Sequence, residues 1–576
     1  MQNERGWMRD LDLSASENSD GRALYFLDVG FGSGRTGTVY GDKKDSTQGF
    51  VGTFKESICT PRTSELRIQL NRYRTDDLDW NWVSPDARIE GMTLTRRHGL
   101  NPIAEPFWKD LPYCNIHKSI GPDILHQGYQ GVLKTLIQWL EKIVGESELD
   151  ARFKRLPLMH GIRSFADGIS GMSHITGGEH KNMCKQILGC IIGIAPNEAV
   201  RATVALLDFF YLAQYHTHTE DSLKAMEKAL NEFHANKEIF VTTGARDVEG
   251  DHFNLPKLHF LEHYVYLIRR YGTTDNYNTE ATERLHIDIV KDAFRATNHK
   301  DHTEQMVRWL SRREKVNVFD ARVSWAVEQE AERFDQQNKK KKKKKRKTSF
   351  KTRVQLAERP SSRNVSLSTL STDYGATQFT SALQTFIGTQ QSASRSGYTA
   401  RQSDTSIQLP FESVDVWHRV KFHSPSIQCT APDTNDIADA FPARYKKGRR
   451  AIQHARFDTV FVNGGAAQKS GIRGLRVAQV RVIFKIPEEH RVSLFGQDST
   501  PVGHLAYVEW FSIPKPQDRD QHSPIVKVDS MVRSCQLFPR FGPEADRAWF
   551  PENVLDLCSE FYINNFANHL TFQTIH

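Results

Sequence analysis

The sequence predicts an α+β multidomain chain: a mostly α-helical central region, a disordered basic linker and a small β-rich C-terminal domain. Three observations predict it. Apolar residues recur at helical spacing between about residues 128 and 335. A run of nine basic residues then opens a stretch rich in Ser, Thr, Gln and Arg. From about residue 410 the apolar pattern changes to a period of two. The length of 576 residues is enough for roughly three to five domains.

Residues 1–95 are rich in Gly, Ser, Thr, Asp and Arg, with few periodic apolar runs, and are expected to be poorly ordered. The helical region spans 96–335. Near 128–145 a stripe of Val132, Leu133, Leu136, Ile137, Leu140 and Ile143 predicts one helix, and 178–193 and the strongly apolar 197–215 predict two more. Glu220 begins an amphipathic helix after a capping-type THTEDS. Pro256 opens another that ends at Gly272, and 279–296 and 302–335 complete the region. The linker is placed at 336–409 and the β-rich domain at 410–576, with strands near 477–486, 504–513 and 523–532.

Composition excludes several classes. The net charge of +8 comes from the run Lys339, Lys340, Lys341, Lys342, Lys343, Lys344, Lys345, Arg346, Lys347; without it the chain sums to about −1. The basicity is therefore one local patch rather than a DNA-coating surface. No stretch approaches the roughly 18 apolar residues that a membrane helix needs, so no membrane partner is expected. The N-terminus lacks the apolar core of a secretory signal. Seven cysteines, widely spaced and without a CxxC, read as reduced thiols in an intracellular protein.

Several short motifs have chemical potential, each beside a plainer reading. Asp28 to Gly34 (DVGFGSG) matches a cofactor-binding glycine loop of methyltransferases, but no amphipathic helix follows it, and a Gly-rich turn in a poorly ordered segment is the plainer reading. Asp123 and His126 stand one helical turn apart, suiting acid/base or metal work, or a helix cap. Glu283 and His286 repeat that spacing, with Glu280 one turn earlier; the alternative is a polar helix face. His259 and His263 lack the Glu placement of a zinc helix and read as packing. Cys184 and Cys190 read as core. Glu179 reads as a charge complementing a helix N-terminus. The lysine run is either a solvated linker or a nuclear localisation and phosphate-binding tract. Trp510, Phe511, Trp549, Phe550, Phe561 and Tyr562 read as core or interface anchors before base-stacking platforms.

Longer strings are more specific. PFWKDLPYCNIHKSIGPDILHQGYQGVLKTLIQWL (106–140), FADGISGMSHITGGEHKNM (165–183), 205–240 and 254–316 resemble transposases of the Kyakuja–Dileera–Zisupton group, in particular the fungal Plavaka type. RVAQVRVIF, HLAYVEWF and MVRSCQLFPRFG resemble that family's C-terminal region. The resemblance covers about 96–335 and 410–576, and implies a helical insertion and last catalytic helix of a ribonuclease-H-like enzyme. Such enzymes use three carboxylates to hold two Mg²⁺ ions for phosphodiester chemistry. By resemblance Glu283 is the third acid and the metal ligand, while Asp123, His126 and His286 support the site. The first two aspartates and the cysteine-rich zinc region are not found. The expectation is therefore a truncated, transposase-derived chain lacking strand-transfer activity, with unrelated sequence at 1–95. It is expected to be nuclear and to bind DNA through Lys339–Lys347, an intact transposase, or itself. The alternatives are an active enzyme completed by another chain and a methyltransferase-like fusion through Asp28–Gly34.

Overall fold

The computed structural model describes residues 23–25, 121–246, 253, 255–338, 353–394, 407–424, 434–445, 451–463, 474–495, 503–511 and 523–575. The Asp28–Gly34 loop, the lysine run and the segment 106–120 lie outside them.

Each predicted helix forms. The first begins earlier than its apolar stripe implies: a wide-turned π segment, Ile124–Leu133, leads into Lys134–Val144. Gly177–Ile191, Asn197–Ala213 and Glu220–Asn236 follow. Two of these start on capping boxes, Thr176 with Glu179 and Thr219 with Ser222, which satisfy otherwise orphaned N–H groups. Glu179 thus acts as a cap as well as a helix-end charge. The Pro256 segment is continuous but tightens into a 3₁₀ turn at Phe260–His263 before Tyr264–Tyr271, where Gly272 takes a positive φ of 85°. The rings of His259 and His263 sit edge to face 5.3 Å apart, as packing predicts. Asn197–Ala213 packs closely on Glu220–Asn236 and buries Phe209, Phe210 and Leu206. Cys184 and Cys190 are buried beside it, and burial pushes both thiols well up.

The linker expected over 336–409 is corrected. Residues 353–394 form two strands, Arg353–Leu356 and Ser362–Ser366, and two helices, Leu367–Thr372 and Phe379–Ser394. Leu370, Phe379, Leu383 and Ile387 are completely or almost completely buried there. The last three fall on one helical stripe, which the surrounding Ser, Thr and Gln obscure in a composition reading. The β-rich unit therefore begins at Arg353.

Its centre is an antiparallel seven-stranded sheet built on Leu475–Lys485. That strand is buried on both faces from Val477 to Phe484. Pairing with Leu505–Trp510 shifts register between Val480 and Val482, leaving Arg481 as a bulge. The bulge reverses the alternation, so Ala478, Val480 and Ile483 pack into one cluster and Val482 and Phe484 into another. The bulged Arg481 reaches Glu509 at 2.8 Å and also pairs with Asp556. The 523–532 stretch is two strands, Ile525–Lys527 and Met531–Cys535, separated by a 3₁₀ turn. Phe511 and Phe561 are buried, as core anchors should be, whereas Phe550 is exposed.

The helical and β-rich units share one core. Phe538, Phe541, Phe566 and Phe572 belong to the helical cluster. Gly189 is where the two units come closest: a Cβ there would lie 2.3 Å from the Phe538 ring. Arg152 is fully buried at this seam. It pairs with Glu148 at 2.6 Å and donates to the carbonyls of Ile192 (3.1 Å) and Gly542 (2.7 Å), its guanidinium lying 5.1 Å above Phe541. Arg152→Met removes every one of these donors while the carbonyls stay buried. The expected loss is about 3–5 kcal/mol of unfolding free energy, read as a lower urea midpoint.

Candidate active site

Three of the residues singled out in the sequence meet in space. Asp123 caps the π segment: its carboxylate accepts from the backbone N–H of His126 at 3.0 Å and of Gln127 at 3.1 Å. His126 Nδ1 lies 2.9 Å from Asp123 Oδ2. A carboxylate only accepts, so Nδ1 is the donor in this contact. The other ring nitrogen, Nε2, faces a second carboxylate, Glu283 Oε2, at 3.4 Å. The result is a carboxylate–imidazole–carboxylate row, with Glu283 at its outer end.

Two helices set this row. Thr279 stands just before the Glu280–His286 helix and donates its hydroxyl to Asp123 Oδ2 at 2.5 Å. Glu283 N–H bonds Thr279 O at 2.8 Å, so Glu283 sits one turn along from Thr279. Glu280 turns instead to Lys181, 2.6 Å away, which anchors the helix to Gly177–Ile191. Buried Tyr264 donates to Asp123 O at 2.9 Å. Lys257 donates to His126 O at 3.0 Å by crossing Gly131, where a Cβ would lie 2.6 Å from the Lys257 side chain. Thr279, Tyr264, Lys257 and Lys181 carry no signature in the sequence as site residues; only the long-range packing shows them. His286 is exposed one turn beyond Glu283.

The electrostatics are uneven. Burial alone would raise Asp123, but the hydrogen bonds from Thr279, His126 and Gln127 outweigh it and hold the carboxyl below its ordinary value. Glu283 differs: its side chain is 55% exposed, and that of His126 is 45% exposed. Asp123 is thus a fixed internal anion, and Glu283 the carboxylate that solvent or a substrate reaches.

A pair of Mg²⁺ ions needs several free carboxylate oxygens. Asp123 spends its oxygens on four donors, and the neighbour of Glu283 is an imidazole. Among the described residues no group of three or more His, Cys, Asp or Glu is placed to hold a metal. The described residues therefore do not by themselves fit the two-metal site that the resemblance implies.

The carboxylate anchor is testable by pH. Its folded pKa is depressed, so its stabilisation is present above the unfolded value of 3.8 and is lost as pH falls through the folded value. Asp123→Asn is expected to be destabilised at neutral pH by roughly 1–2 kcal/mol. The gap to the unsubstituted chain should close as pH drops below the ordinary aspartate range, measured by denaturant unfolding at several acid pH values. A gap that stays constant down to acid pH would refute the anchor role.

Comparison with known proteins agrees with part of this reading. Residues 52–140 match the Plavaka transposase family, and residues 329–529 match a domain of unknown function, DUF6830. No curated protein and no solved structure matches the chain. The first match begins upstream of residue 96, so the family resemblance extends into the segment read from sequence as unrelated. Asp123 and His126 lie inside it, whereas Glu283 lies outside both matched segments. The second match takes in the lysine run and most of the β-rich unit. With the Asp123–His126 turn inside the matched segment, residues 52–140 of the chain are similar to the Plavaka transposase family.

Proposed function

We propose that this transposase-derived chain has no strand-transfer activity of its own and acts in the nucleus as a DNA-binding protein. The observation that carries the first half is the engagement of Glu283. Its one near partner in the row is His126 Nε2 at 3.4 Å, and Asp123 behind it is fully occupied by donors. An exposed Glu beside an oriented imidazole can accept or release a proton. It does not supply the three carboxylate positions that two-metal phosphodiester chemistry uses.

The second half rests on the basic run Lys339–Lys347 together with the transposase-type match. Nine consecutive cations favour phosphate contacts that release counterions and carry no base readout. The same run has the form of a nuclear localisation signal.

A second reading is favoured by one observation, the exposure of Glu283. A carboxylate from an intact transposase chain has room to approach it, which would complete the site in trans.

Purified full-length protein with Mg²⁺ or Mn²⁺ and supercoiled DNA is expected to give no cleavage above background. Cleavage that disappears in Glu283→Gln would overturn the inactive reading. Cleavage appearing only after an intact family transposase is added, and lost with Glu283→Gln in this chain, would establish the trans reading instead.

DNA affinity should fall steeply with salt, log K against log salt having a slope of up to about −8 if all nine cations contact phosphate. Deleting 339–347 should flatten that slope and weaken binding to all sequences alike. Unchanged binding after the deletion would move the DNA contact to the folded units. A fluorescent reporter carrying residues 336–350 should enter the nucleus, and a cytoplasmic reporter would remove the localisation claim.

A further inference from the structure

The helix His302–Asn338 is unlike every other described helix. It has 37 residues, a length of about 55 Å. Its first turns rest on the protein: Arg313 donates to Asp288 O at 2.7 Å and stacks on Trp309 at 5.3 Å. From there every residue between 314 and 328 is exposed. That stretch is not polar. Phe319 is 69% exposed, Val316 64% and Val323 43%. A polar solvent-bridging helix would not place such residues in water.

Part of the apolar set follows a heptad, while exposed Val307, Val318, Trp325 and Val327 lie off it. Trp309, Val316 and Val323 occupy one position of the repeat, and Phe319 and Ala326 occupy the partner position. Three charges interrupt this seam, Arg312 on one side of its centre and Glu330 and Arg333 on the other. The ends of the helix also differ in charge. Residues 302–319 hold four Lys/Arg and two Asp/Glu, and residues 320–338 hold two Lys/Arg and five Asp/Glu.

We propose that this helix is the dimer interface of the protein, pairing antiparallel with the same helix of a second copy. The register follows from the sequence. In an antiparallel coiled coil the two seam positions face each other across the axis. Centred on Ala321, that places Phe319 against Val323 of the partner subunit and Val316 against Ala326 of the partner subunit. Arg312 then meets Glu330 of the partner subunit, and the symmetry repeats the pair. A parallel pair would instead set Arg312 against Arg312 and Glu330 against Glu330. It would also bring together the two nine-cation runs that follow Asn338. The basic half of each helix meets the acidic half of the other only in the antiparallel arrangement. The inference does not depend on the reading of the Glu283 site.

Light scattering on the full chain at moderate salt is expected to give a dimer. Phe319→Asp should yield a monomer with unchanged helix content, since the side chain touches little within its own chain. Arg312→Glu and Glu330→Arg should each weaken dimerisation at least tenfold, and the two together should restore it. Orientation is read by mild oxidation: Val316→Cys and Ala326→Cys copies should crosslink when mixed, and neither should crosslink alone. A monomeric parent chain at tens of micromolar overturns the proposal. So does a monomer whose 314–328 amides exchange slowly, which would mean that the chain covers this face itself. Self-crosslinking of Val316→Cys, or no recovery in the double charge reversal, overturns the antiparallel register.

Discussion

The candidate site depends on one buried carboxylate. Asp123 begins a helix, orients an imidazole and holds a second helix through Thr279, all with two oxygens. The first task is ordinary capping. The other two use lone pairs that a capping Ser or Thr would not have, because a hydroxyl has fewer acceptor sites and no charge. The π-type widening after Asp123 fits the same constraint. A wider turn lets His126 fold back toward its own cap while Gly128 and Gly131 admit Phe210 and Lys257 against the backbone. Each glycine sits where a side chain would collide with a neighbour that helps place the row.

The site is remote from the β-rich unit yet rests on it mechanically. The Gly177–Ile191 helix carries Lys181 at one end, facing Glu280, and Gly189 near the other, against Phe538. Arg152 ties the neighbouring helix to the Gly542 carbonyl across the same seam. The match to the DUF6830 domain ends at 529, but the strands and aromatic residues that complete the seam lie beyond it. The C-terminal fifty residues therefore serve the helical unit as much as the sheet: Tyr211 donates to Phe566 O, and Asn564 bonds Lys185 O at 2.8 Å.

Much of the fold was legible because helical and strand periodicities survive in the sequence. Helix starts at Thr219 and Pro256 followed from local chemistry alone. The strand near 477–486 was recognised by its apolar run, but its bulge at Arg481 was not, since a bulge is a property of two paired strands. The order of segment 353–394 is obscured in the sequence because its Ser, Thr and Gln content hides a stripe of only a few apolar residues. Of the site, the residue types and their spacing were visible, and the resemblance drew attention to Asp123, His126 and Glu283. Thr279, Tyr264 and Lys257 were not visible, since 130 or more residues separate each from its partner at Asp123 or His126. No local pattern encodes such a meeting.

The charge of the chain acquires a geometry from the antiparallel register. That register sets residue 338 of one helix level with Glu304 of the other. The basic run of each copy then starts beside the end of the helix from which the other copy's chain returns to Asp288 and Glu283.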